Sequence, residues 1–300
     1  MNDRRARRSR VLKRIVLVAV AGGVLLSGAI WSDAAGAGQA WQKVLDRVDR
    51  FVAGPVPDRS IEPIVVVTPR PSLPPTLPPT PVPSGATAAP TPMRLPVDVQ
   101  LDRDPKAHFA HEIRDTWCSP AGVQMTLAVL GLGDTSDRFQ REIAGRVHEW
   151  ESYEDSHNGD WGPAAMTQAL AAYGAPGYQV RAYETRADAL RDAAVAISTT
   201  EEPVILLAWR GAHTWVMTGY RADADPRIFP DAVVSGTYIL DPWYPTYSSI
   251  WGNSDPPGTF QDAAEMVRNF LPWKRPEGKY PDRDGRFIVL IPTLRQAIGY

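Results

Sequence analysis

The chain contains a single cysteine, Cys118, and that cysteine is placed as a nucleophile would be. Apolar residues recur at helical spacing directly after it, with Pro120 suited to the first helical turn and Gly131 as a stop signal. The unpaired N–H groups and the positive dipole end of a helix N-terminus stabilise a thiolate. A structural cysteine would more naturally lie in mid-helix on the apolar face. The position therefore predicts a reactive thiol.

Two further residues could complete a catalytic group. His213 opens one predicted strand, and Asp241 closes the next strand, directly before Pro242. A thiol nucleophile needs a base that keeps it as thiolate and protonates the leaving amine, and the base needs a third group that fixes its tautomer. If the two strands pair as an antiparallel hairpin, the imidazole and the carboxylate lie side by side. Each residue alone is commonly structural, so the prediction depends on the three together.

The elements that must position these residues belong to one predicted domain, residues 97–300, which is long enough to bury its own core. Helical periods come first and β-branched or aromatic runs come later, which implies an α+β fold rather than a repeating βαβ array. After the Cys118 helix we predict helices over 139–147, 162–173, 187–197 and 260–270, and strands over 204–209, 214–220, 237–240 and 287–291.

The N-terminal segment predicts export. Residues 1–14 are strongly basic. Residues 15–32 contain no charged side chain, and a segment of this length is at the lower limit for a membrane-spanning helix. The basic flank predicts that the N-terminus is cytoplasmic and that the domain is extracytoplasmic. Residues 15–32 would then be a transmembrane signal anchor, and the protein a bacterial, single-pass protein of the cell membrane. The alternative is a secreted protein released by signal peptidase near Ala37.

Two segments separate this predicted anchor from the domain. Residues 38–53 follow a helical period with charges on the other faces, which predicts a juxtamembrane amphipathic helix. Residues 55–96 contain 14 prolines and predict an extended, polyproline II-like linker. At about 3.1 Å per residue the part from Pro63 onward spans up to ~100 Å, which suits a stalk through a cell wall and makes cell-wall components possible partners.

Composition excludes several other classes of function. The net charge of −2 gives no reason to propose nucleic acid as a partner, and one cysteine cannot form an internal disulfide, although an intermolecular one stays open. His108, His111 and Glu112 are ordered His-x-x-His-Glu, which is not the helical zinc arrangement His-Glu-x-x-His. We predict neither a metal site nor a cofactor.

The motifs around the three candidate residues resemble those of the C39-like peptidases, a branch of the papain-like cysteine peptidases. The matching stretches are Trp117–Ala121 around the cysteine, Gly211–Tyr220 around the histidine and Tyr238–Trp243 around the aspartate. The resemblance covers most of the chain from about Pro105 to Leu290. It implies a papain-like fold, in which a helical part carries the cysteine and an antiparallel sheet carries the histidine and the aspartate.

By this resemblance Cys118 is the nucleophile, His213 is the base and later the acid, and Asp241 orients the histidine. Two positions depart from the family's pattern. Ser119 stands where glycine usually follows the cysteine, and Glu112 stands at the position of the oxyanion-hole glutamine, six residues before the cysteine. An ionised carboxylate would repel a developing oxyanion, whereas a protonated carboxyl, His111 or a backbone N–H could donate to it.

The sequence thus predicts an extracytoplasmic cysteine peptidase, membrane-anchored or secreted, that hydrolyses peptide or amide bonds of a peptide or protein substrate through a thioester. Trp117, Trp161 and Trp243 are candidates for the substrate cleft. Two alternatives stay open: a catalytically silent binding module displayed on the stalk because of Glu112, and an acyl or peptidyl transferase.

Overall fold

The computed structural model describes residues 44, 48, 51, 52, 56, 59–69, 92–156 and 161–293. The chain divides into two compact units, Met1–Pro55 and Val56–Tyr300. In the first unit the four described residues, all within the predicted amphipathic helix of 38–53, are helical and exposed. The predicted anchor at residues 15–32 lies outside the described residues, and no helix among those described has the length and apolar character needed to cross a bilayer.

The described part of the second unit is built around one large sheet. Its eight strands are β1 (Val65–Val67), β2 (Val97–Gln100), β3 (Tyr178–Tyr183), β4 (Val204–Ala208), β5 (His213–Ala222), β6 (Val234–Leu240), β9 (Thr259–Asp262) and β10 (Phe287–Pro292), while β7 (Tyr247–Ser248) and β8 (Gly252–Asn253) form a separate small hairpin. The order is β1-β3-β10-β4-β5-β6-β9, and β2 pairs with β5. The predicted sheet was antiparallel; the observed one is mixed, because β1 pairs with β3 in parallel.

Six α-helices accompany the sheet in the described residues. They are α1 (Pro105–His108), α2 (Cys118–Val129), α3 (Asp137–Gly145), α4 (Pro163–Ala172), α5 (Arg186–Thr200) and α6 (Ala263–Asn269). Buried side chains of α2, α3 and α4 form one core with the sheet, and those of α5 and α6 form a second core with it. The fold is therefore α+β, as the order of the sequence patterns predicts.

Alternating side chains of the central strands supply both cores. In β4, Ile205 and Leu207 belong to the first core, whereas Val204 and Leu206 belong to the second. All five residues of this strand are buried. A strand covered by helices on both faces needs apolar residues at every position, which explains why its sequence is a continuous apolar run rather than an alternating one.

Two predicted boundaries need correction. The linker predicted over 55–96 contains β1, because the β-branched run Val65–Val67 pairs with β3 at the edge of the sheet, with Ile64 packed on the first core and Val67 on the second. The helix predicted over 260–270 begins only at Ala263, because Thr259–Asp262 pairs with β6. The side chain of Asp262 then caps α6 by accepting hydrogen bonds from its first turn.

Candidate active site

The cysteine stands at the N-terminus of α2. Cys118 is the first residue of this helix, and Gly131, with φ of +70°, follows its C-terminal end. The helix approaches β5 so closely that a methyl group on Gly122 would collide with the side chain of Thr214. Because Thr214 follows His213 in β5, this close packing brings the start of the helix and the start of the strand together. The Cys118 thiol lies 3.9 Å from the carbonyl oxygen of Ala212.

The histidine and the aspartate meet at one edge of the sheet. The pairing of β5 with β6 is antiparallel, with Val216 opposite Leu240, so the start of β5 and the end of β6 are neighbours. His213 Nε2 lies 2.7 Å from Asp241 Oδ1, and both side chains are almost fully buried. This bond leaves the other ring nitrogen of His213 for the thiol. The predicted hairpin therefore exists, and it brings the imidazole and the carboxylate into contact.

The electrostatics of the site favour a thiolate. Burial alone would raise the pKa of the Cys118 thiol, but hydrogen bonding and charge from His213 lower that pKa below its ordinary value. The hydroxyl groups of Thr214 and Ser119 act in the same direction. Cys118 as a whole residue is only partly buried.

The charge of the imidazole follows from the same contacts. Burial would lower the pKa of His213, but the charge of Asp241 and its hydrogen bond, followed by those of Cys118, raise it to about 10. The contacts therefore favour a thiolate on Cys118 and an imidazolium on His213, beside the carboxyl group of Asp241. In chemical terms the group can attack a carbonyl carbon and protonate a leaving group.

Glu112 belongs to the same cluster. Its carboxyl oxygen, the Cys118 sulfur and a ring nitrogen of His213 all lie within 4.8 Å of one another. The side chain is 3% exposed, and neither carboxyl oxygen has a hydrogen-bond partner in the part of the chain that the structure describes. Burial, followed by the charge of Cys118, raises the pKa of Glu112 to about 9, against the opposing effect of His213. The carboxyl group is therefore neutral at pH 7 and carries an O–H donor.

The backbone around Glu112 is fixed from three sides. Its own N–H donates to the carbonyl oxygen of Pro242 at 3.0 Å. The side chain of Gln140 accepts from Ile113 N at 2.8 Å and donates to His111 O at 3.0 Å. Glu112 is thus held between α3 and the turn that follows Asp241.

The family of the chain follows from comparison with known proteins. Residues 95–267, more than half of the chain, match the model of the Peptidase_C39 like family. The chain belongs to this family. Comparison with curated proteins gives no match. A crystal structure of a double glycine motif protease from an AMS/PCAT transporter, in complex with the leader peptide, is similar at 17% sequence identity and a TM-score of 0.30, with 62% of this chain and 91% of that chain covered.

In this C39-like family member the histidine is enclosed by tryptophans. The ring of Trp209 stacks on His213 with 3.9 Å between centroids. The ring of Trp251 in turn stacks on Trp209, with 5.7 Å between their centroids. Trp243, one of the predicted cleft residues, meets His213 edge-on at 6.5 Å and donates its backbone N–H to Asp241. The imidazole is thereby shielded from water on the sides that these rings cover.

Sequence reasoning missed Trp209. The residue sits in the tight connection between β4 and β5, where Trp209, Arg210 and Gly211 all have positive φ. This turn folds the indole back over the start of β5, and the indole N–H donates to Asn269 Oδ1 at 3.1 Å. The glycine two residues before His213 was the available signal, because it allows such a left-handed turn.

The other two predicted cleft residues differ in their surroundings. Trp117 directly precedes Cys118, and the guanidinium of Arg114 lies 4.6 Å from its ring centroid. Trp161 packs against Trp150 at 5.7 Å and against the first core.

The side chains of the His-x-x-His-Glu stretch do not meet at one point. His108 contacts Asp102, whereas His111 faces the backbone carbonyl oxygens of Pro242 and Tyr244.

Proposed function

We propose that the chain is a cysteine peptidase that hydrolyses a peptide or amide bond through Cys118, His213 and Asp241. The observation that carries the proposal is the single chain of contacts from the thiol through the imidazole to the carboxylate, at the N-terminus of a helix. Membership of the C39-like family supports the same reaction class.

The reaction follows from the residues in place. The Cys118 thiolate attacks the carbonyl carbon, and the tetrahedral intermediate collapses as His213 gives its proton to the leaving amine. The resulting thioester is attacked by water, and His213 then takes the proton of that water. Asp241 accepts the Nε2–H of His213 throughout, so it holds the ring in one orientation and stabilises the imidazolium.

Glu112 supplies the oxyanion donor in this proposal. The family resemblance implies an amide donor at its position, and a neutral carboxyl can donate one O–H in place of that amide N–H. The support for this role is its burial beside the thiol and the absence of any other partner for its oxygens among the described residues. N–H groups of the first turn of α2 provide further donors, since helix N-termini leave them unpaired.

We further propose that the substrate is a peptide or protein outside the cytoplasm and that the domain is tethered to the membrane. The basic stretch of 1–14 and the uncharged stretch of 15–32 support this placement.

The test is hydrolysis of a mixed peptide library by the purified chain, with Cys118→Ala and Glu112→Gln beside it. We expect cleavage by the parent chain and a loss of at least ~10³-fold in Cys118→Ala, because the nucleophile is removed. A parent chain that is silent while Glu112→Gln cleaves would mean that the carboxyl blocks the oxyanion site. A folded parent chain and Glu112→Gln variant that both cleave nothing would favour the binding module.

A further inference from the structure

Among the described residues, one group of three potential metal ligands converges at a point, and it consists of Glu112, Cys118 and His213. Their ligand atoms lie within 4.8 Å of one another. In a tetrahedral zinc site with bonds of about 2.0–2.3 Å, ligand atoms are roughly 3.3–3.7 Å apart. A closure of about 1 Å, which side-chain rotation can supply, therefore converts the group into a first coordination sphere.

The carboxyl group is the feature that points to a cation. Glu112 is 3% exposed, and both of its oxygens are buried with no hydrogen-bond partner among the residues that the structure describes. A buried carboxyl with no donor around it is unfavourable unless it is neutral or coordinates a metal. The backbone that carries this side chain is fixed, because the Pro242 carbonyl oxygen and the Gln140 side chain hydrogen-bond to the backbone at Glu112 and at its two neighbours.

The histidine already has the second partner that zinc sites provide. A metal-bound histidine almost always donates its other ring N–H to a carboxylate, which fixes the tautomer and the ring orientation. His213 Nε2 makes this bond to Asp241 Oδ1 at 2.7 Å, so the other ring nitrogen, on the side of Cys118, is the one that would coordinate. Cys118 offers a thiolate, and imidazole, thiolate and carboxylate are all zinc ligands.

We propose that Glu112, Cys118 and His213 bind one Zn²⁺ ion, with the fourth position left for a water molecule. The thiolate, the carboxylate and the neutral imidazole coordinate the ion, and their protons are released to solvent on binding. Since the metal occupies the sulfur lone pair and the basic nitrogen, the zinc-bound form is a reversible resting form of the peptidase. This last clause rests on the proposed function, whereas the zinc site itself does not.

The zinc site is a property of this chain's glutamate. Glutamine at position 112 has the same shape but offers a neutral amide oxygen, which is a much weaker ligand for zinc than a carboxylate. Sequence reasoning placed Glu112, Cys118 and His213 in one site but predicted no metal there, because their spacing matches no local zinc motif.

The experiment is a titration of the metal-free full chain with Co²⁺, followed by displacement with Zn²⁺. We expect a thiolate-to-cobalt charge-transfer absorption that saturates at one equivalent and disappears in Cys118→Ser. Glu112→Gln should weaken Zn²⁺ binding by at least ~10²-fold, which is the upper range for loss of an outer-shell partner. The matched control is Glu151→Gln, a buried carboxyl that contacts His148 outside the cluster and should leave the zinc affinity unchanged.

Two readouts separate this proposal from the peptidase proposal. If the chain cleaves peptides, Zn²⁺ should inhibit cleavage and a chelator should restore it. A cobalt absorption that depends on Glu112, in a chain that cleaves nothing, supports the metal site and counts against the peptidase. Absence of the absorption, or a zinc affinity that Glu112→Gln leaves unchanged, overturns the three-ligand site whether or not peptides are cleaved.

Discussion

Asp241 has two separable effects on the imidazole beside it. Its Oδ1 accepts from His213 Nε2 at 2.7 Å and from the backbone N–H of Trp243 at 2.9 Å, so the carboxyl oxygen is itself held in place. Its negative charge also stabilises the imidazolium in a buried position. Orientation needs only an acceptor oxygen, whereas stabilisation of the charge needs the carboxylate. Substitutions at this residue can therefore divide the two effects.

We expect Asp241→Ala to lower kcat/KM by about 10²–10⁴-fold, because the acid–base group loses both its orientation and its counter-charge. Asp241→Asn should cost less, since the amide oxygen still accepts the Nε2–H while the charge is lost. The measurement is peptide hydrolysis at fixed pH, with the alkylation rate of Cys118 as a second readout. Circular dichroism of both variants controls for folding, because removing one partner of a buried ion pair also destabilises the fold. Equal activity of the alanine variant and the parent chain would remove Asp241 from the mechanism.

At the scale of elements, the site depends on how closely α2 lies against β5. Gly122 is one helical turn beyond Cys118, and Thr214 is the second residue of β5, directly after His213. An added methyl group on Gly122 would overlap the Cγ2 methyl of Thr214. The glycine thus sets the distance between the element that carries the thiol and the element that carries the base.

Gly122→Ala should push α2 away from β5 and lower kcat by up to about 10²-fold, because a displacement of about 1 Å in a reacting group has that effect. The overpacking should also destabilise the fold by about 1–3 kcal/mol. Thr214→Ser in the same chain removes the Cγ2 methyl while keeping the hydroxyl, so the double variant should recover activity. The control is Gly145→Ala, at the end of α3, where an added methyl meets open space. If the double variant does not recover activity, the contact between residue 122 and the Thr214 methyl group is not the cause of the loss in Gly122→Ala.

The elements differ in how far the sequence predicts them. Helices α2, α4 and α5 and strands β4, β5, β6 and β10 follow from their apolar periods, because each is long and packs on a continuous core. Most of β9 was predicted to be helical. This strand has only four residues and lies directly before α6, so its apolar pattern cannot be distinguished from the start of that helix. β3 was not predicted, and β1 was assigned to the linker; both depend on pairing with β10 or with each other, which no local pattern reports.

The site shows the same division. Cys118, His213 and Asp241 are predictable because each stands at an element boundary that the local sequence marks. The surroundings of Glu112 are not, because its burial arises from the turn after Asp241 and from Gln140 on a different helix. The stacking of Trp209 on His213 likewise depends on a turn conformation rather than on spacing.

At the scale of the whole molecule, the second unit includes residues 59–69, which belong to the stretch predicted as a proline-rich linker. β1 pairs with β3, and Ile64 packs on the first core. The Arg59 guanidinium donates a hydrogen bond to the carbonyl oxygen of His148, and the Arg59 carbonyl oxygen accepts one from the hydroxyl of Ser152. Residues 59–69 therefore cover an edge of the sheet that would otherwise be open to pairing with another chain.

A fragment spanning residues 56–300 should for this reason be more stable than one spanning 92–300, by about 1–3 kcal/mol, since the shorter fragment loses the buried area of Ile64 and Val67 as well as the pairing of β1. Urea unfolding of the two fragments measures the difference. Ile64→Ala in the longer fragment should reproduce part of the loss, whereas Val66→Ala, on an exposed position of β1, should change the free energy of unfolding little. The shorter fragment should also associate at high concentration, because the edge of β3 is uncovered, and light scattering detects this. Equal stability of the two fragments would mean that β1 contributes nothing to the fold and that the domain begins near residue 97, as the composition of the linker predicts.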